Sequence, residues 1–181
     1  MTHRLLAIVA ILLLATSLVF VSVQSVKAQV TLSPDQRERI RSNCLTIKNT
    51  LNQLKVSDAL LRVNRGQMYE SMSSKLMDNF NTRISSNSFD NRGLVAVSSG
   101  YDTALNKFRS DYQAYERQLA TAIRIDCSQD PDAFHFAIEN GRALRLAVNA
   151  DVQRLHQYIN DYRAAVNDFR LNFERTSGDR Q

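Results

Sequence analysis

The sequence predicts an all-α protein: an elongated antiparallel three-helix bundle or coiled coil, preceded by an N-terminal signal helix. Apolar residues recur every three or four positions through most of the chain, which is the spacing of a helical seam. The 181 residues include only five glycines and two prolines, so few positions break a helix. These observations predict helices at about residues 34–82, 93–126 and 131–175, which together form one coiled-coil domain over residues 34–175.

The first segment has the features of an export signal. A basic start, Met1–Arg4, precedes an apolar run from Leu5 to Phe20. Val26 and Ala28 then place small residues at the third and first positions before a cut. Signal peptidase accepts such residues, so we expect cleavage between Ala28 and Gln29.

Residues 1–28 are therefore expected to be a signal peptide, and residues 29–33 a linker. The alternative is an uncleaved membrane anchor, because residues 5–23 approach the ~20 apolar residues that cross a bilayer. Both interpretations place the body of the protein outside the cytoplasm. We expect it in the periplasm, at the cell surface or secreted, or anchored to the cytoplasmic membrane and facing outward.

The charge is mildly basic and scattered. Removal of Arg4 and Lys27 with the leader would leave 21 basic and 18 acidic residues, a net charge near +3. A nucleic-acid-binding protein concentrates its basic residues in one stripe. We therefore expect no nucleic-acid partner, and membrane contact only through residues 5–23 if the leader is retained.

Both prolines stand where a helix should begin. Ser33 precedes Pro34, and Gln36 follows three residues after the serine, which is a capping-box pattern. Asp130 precedes Pro131 in the same way, as the cap of the third helix.

In the first helix the apolar seam is uninterrupted only as far as Leu54. Beyond it, Asp58 and Arg65 occupy equivalent positions seven residues apart. Either this polar interruption sets the register of the helices, or the two residues form a surface-edge ion pair together with Arg62. The apolar residues expected to continue the seam are Leu61, Met68, Met72, Leu76 and Phe80.

The second and third helices have more regular seams, and their period near 3.5 predicts a left-handed supercoil. Aromatic residues at this spacing indicate core packing rather than a stacking platform. The second seam consists of Tyr101, Leu105, Phe108, Tyr112, Tyr115, Leu119 and Ala122. The third consists of Phe134, Gly141, Val148, Leu155, Tyr162 and Phe169.

The two cysteines, Cys44 and Cys127, lie on neighbouring antiparallel helices in this arrangement. A turn near residue 86 would bring them level, and the turn-forming residues at 81–93 are centred near 87. A turn near residue 90 would separate them by ~13 Å along the helices, beyond the ~7 Å limit between bonded α-carbons. An even cysteine count in an exported protein favours a disulfide, and two unpaired buried thiols are the alternative.

Catalytic and metal-binding patterns are missing from the sequence. His135 and His156 stand 21 positions apart, ~31 Å along one helix, so they cannot share a metal. The pair Asp132 and His135 resembles half of a di-iron motif, but no second copy follows. The sequence also has no Gly-rich phosphate loop and no nucleophile elbow. We expect no cofactor, no metal and no enzymatic activity.

The third helix should extend beyond the end of the first, and this geometry predicts an interaction surface. Val166, Phe169 and Phe173 fall on the overshoot. They should contact the turn region at residues 84–97 or another chain, either a protein partner or a second copy. Residues 176–181 are expected to form a disordered tail.

Two segments carry a family resemblance. SDALLRVNRGQMYESM at residues 57–72 and FRSDYQAYERQL at residues 108–119 resemble small, uncharacterised exported helical proteins of candidate-phylum bacteria. The resemblance implies an exported coiled coil. No activity is known for these proteins, so the resemblance assigns no role to any residue.

The expected function is protein–protein contact, as a structural or interaction component of the cell envelope or surface. An extracytoplasmic binding module, either an envelope chaperone or a ligand-sensing bundle, is the alternative.

Overall fold

The computed structural model describes residues 31–178, and all regular secondary structure in that range is helical. The all-α prediction is thus confirmed for this part of the chain. The predicted signal peptide, the Ala28–Gln29 cleavage site and the start of the linker lie outside it. None of the helices within residues 31–178 combines the length and apolar character that a membrane crossing requires.

The first third of the described chain is a long helical arm with two irregularities. It consists of α1 (Pro34–Ser42), α2 (Cys44–Ser71), a π-helical turn (Met72–Met77) and α3 (Asp78–Ser86). We call these four elements the first arm. Two further helices follow it, α4 (Arg92–Arg124) and α5 (Pro131–Gly178). The last helix thus continues into the predicted tail.

The two helices that start with a proline, α1 and α5, both have the N-terminal cap that the sequence predicts. The Ser33 hydroxyl accepts a hydrogen bond from the Gln36 N–H at 3.2 Å, and the Gln36 side chain accepts one from the Ser33 N–H at 2.8 Å. The Asp130 carboxylate accepts a bond from the Ala133 N–H at 2.9 Å. Both starts follow from local chemistry that satisfies the otherwise free N–H groups of the first turn.

The first arm and α4 run antiparallel. Near their connection, the Asn81 side chain donates a hydrogen bond to Ser98 at 2.9 Å. Farther from it, the Tyr115 hydroxyl donates to Asp58 at 2.6 Å. Residue numbers therefore fall along one element as they rise along the other. The connection itself spans residues 87–91, where Ser88 adopts a left-handed conformation with φ of 60°.

The helices α4 and α5 are also antiparallel, and they approach each other closely. The Gln118 side chain donates a hydrogen bond to the carbonyl of Ala137 at 3.0 Å. At Gly100, an added Cβ would stand 2.6 Å from the ring of Tyr158. Glycine at this position leaves room for the tyrosine ring, so the two helices can pack tightly there.

The main hydrophobic core joins the first arm to both other helices near the 87–91 turn. Buried Asn81 lies within it and accepts a hydrogen bond from the Tyr162 hydroxyl at 2.8 Å. The buried side chains of this core are Tyr69, Met77, Ile84, Leu94, Tyr101, Ala104, Leu105, Phe108, Leu155 and Tyr162. A second, smaller cluster contains Tyr112, Tyr115 and Leu119. The tyrosines of the α4 seam are thus core residues.

Beyond Leu54 the seam predicted for the first arm is right only in part, since Met72 and Phe80 pack against the main core. Leu61, Met68 and Leu76 are about half exposed, whereas Tyr69 and Met77 are fully buried. The inward face passes through Asp58, which the predicted seam included, and through Tyr69, which it did not. The π-helical turn then adds a residue to the helical period, which shifts the face onto Met77.

The structure joins Cys44 and Cys127 in a disulfide, with 5.5 Å between their α-carbons. The turn lies later than residue 86, yet the cysteines still meet. One reason is that Ile125, just after α4, is extended, with ψ of 134°. Extended chain advances ~3.3 Å per residue, compared with ~1.5 Å in a helix, so a few residues close the gap.

Replacement of either cysteine by serine should lower the free energy of unfolding by about 4 kcal/mol, since the bond joins residues 83 positions apart. Guanidinium unfolding followed by circular dichroism measures this difference. Reduced wild-type protein should match the Cys44→Ser/Cys127→Ser double variant. A reduced protein as stable as the oxidised one would contradict the assignment.

Candidate functional site

The helix α2 buries few of its side chains for a helix of 28 residues. Asp58 and Tyr69 are its only buried residues, while α4 buries ten. Six of its large apolar side chains are exposed. These exposed residues are Leu45, Val56, Leu60, Leu61, Val63 and Met68. Three of them, Val56, Leu60 and Leu61, are neighbours in one surface depression, and adjacent exposed apolar residues indicate an interaction site more strongly than scattered ones do.

Part of this exposed face forms a shallow groove of about 640 Å³, which we call the α2 groove. Val56 and Leu60, each 63% exposed, lie at its centre. No charged side chain lines the groove. Its lining residues are Asn52, Gln53, Val56, Ser57, Leu60, Leu61 and Asn64.

A second depression, of about 200 Å³, lies where α2 stands beside α4 and α5, and we call it the arginine notch. Leu61 is the one residue that lines both depressions. Three arginines and one carboxylate contribute to the notch, and the remaining walls are mostly apolar or aromatic. The lining residues are Asp58, Leu61, Arg62, Arg65, Phe108, Tyr112, Tyr115, Arg145, Val148, Asn149 and Val152.

The carboxylate of the notch is fully engaged. One Asp58 oxygen accepts the Tyr115 hydroxyl hydrogen bond, and the other accepts a bond from Arg145 at 3.3 Å. Burial, followed by this bond to Asp58, raises the pKa of Tyr115 above its ordinary value. Tyr115 therefore stays protonated at neutral pH and acts as the donor to Asp58.

The arginines of the notch are unequally paired. Arg62 forms an ion pair with Glu116 at 3.2 Å and lies 5.1 Å from the centre of the Tyr112 ring. Burial raises the pKa of Tyr112 to about 12, so that ring remains neutral. Within residues 31–178, no carboxylate lies within ion-pair distance of Arg65. The notch thus presents one guanidinium without an acidic partner.

These contacts correct the surface-edge ion pair considered for Asp58, Arg62 and Arg65. Asp58 pairs across the helices, with Tyr115 and Arg145, and Arg62 pairs with Glu116. Sequence spacing along one helix cannot reveal partners on another.

The three residues of the predicted interaction surface lie at the other end of the structure, beside the 87–91 turn. Val166 is partly buried against the main core. The Phe169 ring lies edge-on to Phe80 and Phe89, at centroid distances of 6.2 and 6.1 Å. Phe173 lies 5.2 Å from Phe89, and both of these rings remain partly exposed. The turn region is thus one contact of this surface.

An open pocket of about 410 Å³ adjoins these rings, and we call it the aromatic pocket. Two aspartates, Asp90 and Asp168, are among its lining residues. Arg92 donates to Asp90 and lowers the pKa of that carboxyl to about 2. The lining residues are Phe89, Asp90, Asn91, Gly93, Leu94, Ala165, Asp168, Phe169, Asn172, Phe173 and Thr176.

The histidines occupy separate surroundings. His156 has its Nε2 atom 3.1 Å from the Tyr69 hydroxyl, and Asp132, near His135, forms an ion pair with Arg37 at 2.7 Å. No group of three or more histidine, cysteine, aspartate or glutamate side chains within residues 31–178 is arranged to hold a metal.

One buried carboxylate was not predicted from the sequence: Asp151 of α5, which faces Lys107 of α4. It is 6% exposed, and Lys107 stands 3.7 Å away while also contacting Asp111 at 2.5 Å. Burial raises the pKa of Asp151 more than the lysine lowers it. Its spacing in the sequence could have predicted its burial, because Asp151 lies three positions after Val148 and four before Leu155, both of which are seam residues.

Known proteins supply no parallel for these surfaces. No family model, no curated protein and no solved structure matches this chain. The α2 groove, the arginine notch and the aromatic pocket are therefore interpreted from their own geometry.

The Asp58 contacts should be cooperative. Asp58→Ala should lower the free energy of unfolding by about 1–3 kcal/mol, because it leaves the buried Tyr115 hydroxyl without an acceptor. The double variant Asp58→Ala/Tyr115→Phe should lose less free energy of unfolding than the two single variants lose together. Urea unfolding of the wild type, the two single variants and the double variant measures this difference. Additive losses would show that this bond does not couple α2 to α4.

Asp151 should make stability depend on pH. Its raised pKa means that the folded state binds the proton more tightly than the unfolded state. The free energy of unfolding of wild type, relative to Asp151→Asn, should therefore rise as the pH falls from about 7 to about 4. Urea unfolding across this range tests the sign. Asp161→Asn, which changes an exposed carboxylate, serves as the control. If the free energies of unfolding of wild type and Asp151→Asn differed by the same amount at every pH, the prediction would be contradicted.

Proposed function

We propose that this protein is an exported helical-bundle protein that works by protein–protein contact, as a structural or interaction component of the cell envelope or surface. The observation that carries the proposal is the α2 groove, where Val56, Leu60 and Leu61 face solvent in the middle of a long helix. Exposing these side chains costs free energy that a partner would recover by covering them.

We further propose that the scaffold is an elongated antiparallel three-helix coiled coil. The antiparallel contacts of α4 with the first arm and with α5 support this arrangement. A long helical scaffold presents an extended side face rather than an enclosed cavity. Such a face suits contact with another protein better than catalysis, which requires a water-poor site.

Two features support export. The leader has the pattern of a signal peptide. The Cys44–Cys127 disulfide is of a kind that persists in oxidising compartments and is rare in the cytoplasm. An envelope or extracellular location therefore accords with both features.

The aromatic pocket favours a second candidate function, a ligand-binding module. Its volume of about 410 Å³ falls within the range of ~300–1,000 Å³ typical of small-molecule sites. Its aromatic wall and polar rim would suit a small amphipathic ligand. A chaperone-like role would use the same exposed rings, Phe89 and Phe173, to hold an unfolded client.

Photo-cross-linking in producing cells tests the first proposal. A photoreactive phenylalanine analogue at Leu60 should give a discrete protein adduct, because a partner covers the α2 groove. The same analogue at Arg117, an exposed residue of α4, should give none. An adduct with the mass of a small molecule from Phe173 would favour the binding module. Absence of protein adducts at both Leu60 and Phe173 would refute protein contact through either surface.

A further inference from the structure

We infer that the arginine notch binds a small aromatic carboxylate. The anion pairs with the Arg65 guanidinium, and the ring lies against the apolar and aromatic side chains of the notch. This site is separate from the α2 groove and from the aromatic pocket, so its ligand does not depend on the protein contact proposed above.

The notch is an opening between two parallel helices. The Asp58–Arg145 contact and the Tyr69–His156 contact both join residues 87 positions apart, so α2 and α5 run parallel and in register. Along each helix the two contacts are separated by ~16 Å. Between them, within residues 31–178, no hydrogen bond or ion pair links the two helices. The two contacts therefore bound an opening whose sides are α2 and α5.

The helix α4 forms the floor of this opening. Its residues Phe108 and Tyr112 are buried, with 6.2 Å between their ring centroids, whereas Leu61 at the side of the opening is half exposed. The apolar and aromatic lining residues, from all three helices, are Leu61, Phe108, Tyr112, Tyr115, Val148 and Val152. The floor thus offers ring faces and edges to a ligand.

The size of the notch limits the ligand to one ring. An apolar cavity of ~150 Å³ holds one benzene molecule. The notch, at about 200 Å³, has room for a benzene ring with a short acidic substituent. Contacts between rings stabilise beyond the area that they bury, so the aromatic floor favours an aromatic body over an aliphatic one of equal size.

The free polar groups of the notch are donors, so they select an anion. Both Asp58 oxygens already accept hydrogen bonds. Arg145 donates to Asp58 through Nη2 only, and Arg62 donates to Glu116 through Nη1 only. In the described part of the chain, the Arg65 side chain donates no hydrogen bond. A carboxylate can therefore accept two parallel N–H bonds from the Arg65 guanidinium.

Other ligand classes fit less well. Three guanidiniums, those of Arg62, Arg65 and Arg145, face the two carboxylates of Asp58 and Glu116, which leaves an excess of one positive charge and disfavours a cation. Inorganic phosphate would meet the guanidiniums but would leave the apolar walls in water. A neutral aromatic molecule would leave the guanidinium donors unused.

The probe is phenylacetate, titrated into the ¹⁵N-labelled full chain and followed by NMR shifts of the backbone amides. Saturable shifts should centre on Arg65, Tyr112 and Val152. Phenylacetamide replaces the carboxylate with a neutral amide and should bind about tenfold more weakly, because the charged hydrogen bonds are lost. Acetate lacks the ring and should also bind about tenfold more weakly. Added salt should weaken phenylacetate more than phenylacetamide.

Two variants locate the site. Arg65→Gln should make phenylacetate bind as weakly as phenylacetamide. Leu61→Glu places a carboxylate four positions before Arg65, where it can pair with the guanidinium, and should weaken phenylacetate about tenfold. The matched controls are Arg117→Gln and Leu60→Glu, which change exposed residues outside the notch and should bind like wild type. Circular dichroism should show the same helix content for all four variants.

Several results would overturn the inference. They are the absence of saturable shifts, equal binding of phenylacetate and phenylacetamide, and a preference for phenylacetate that survives Arg65→Gln. Acetate or inorganic phosphate that bound as tightly as phenylacetate would exclude the aromatic body. Shifts centred on Phe89 and Phe173 would place the ligand in the aromatic pocket instead. The protein contact through the α2 groove would be unaffected by any of these results, because cross-linking at Leu60 tests it separately.

Discussion

The hydrogen bonds of the buried Asp58 carboxylate decide which way α2 faces. Its two oxygens accept bonds from Tyr115 of α4 and Arg145 of α5. A buried carboxylate without partners is costly, so α2 must keep the orientation that satisfies it. In that orientation Val56 and Leu60 point outward. The polar contact inside the structure and the apolar groove outside it are therefore two results of one constraint.

The middle of α2 is poorly buried, and it is held in place by contacts at both ends of the helix. The Cys44–Cys127 bond holds the N-terminal end of α2 to the chain beyond α4. At the other end, Tyr69 is fully buried and its ring lies edge-on to Phe108. Between these attachments the position of α2 does not depend on burying every leucine. Exposed apolar side chains can therefore persist there without loss of the fold.

The parts of the fold that depend on local chemistry were predictable from sequence. Both capped helix starts and the seam of α4 depend on neighbouring residues, and the structure contains them. The seam of the first arm was predictable only in part, because the π-helical turn shifts its inward face. Spacing placed Asp58 on the seam, but spacing could not show that its partners lie on other helices. The α2 groove was not predicted, because the seam pattern placed the exposed Leu61 in the core.

The position of the disulfide has a mechanical consequence. The bond joins the start of α2 to the chain just before α5, so the residues between the cysteines form a covalently closed loop. Tension applied to the two ends of the described chain would pass through α1, across the sulfur–sulfur bond and into α5. The enclosed helices α2, α3 and α4 would not be stretched. The disulfide would therefore let the chain transmit force while the outward side of α2 kept its shape.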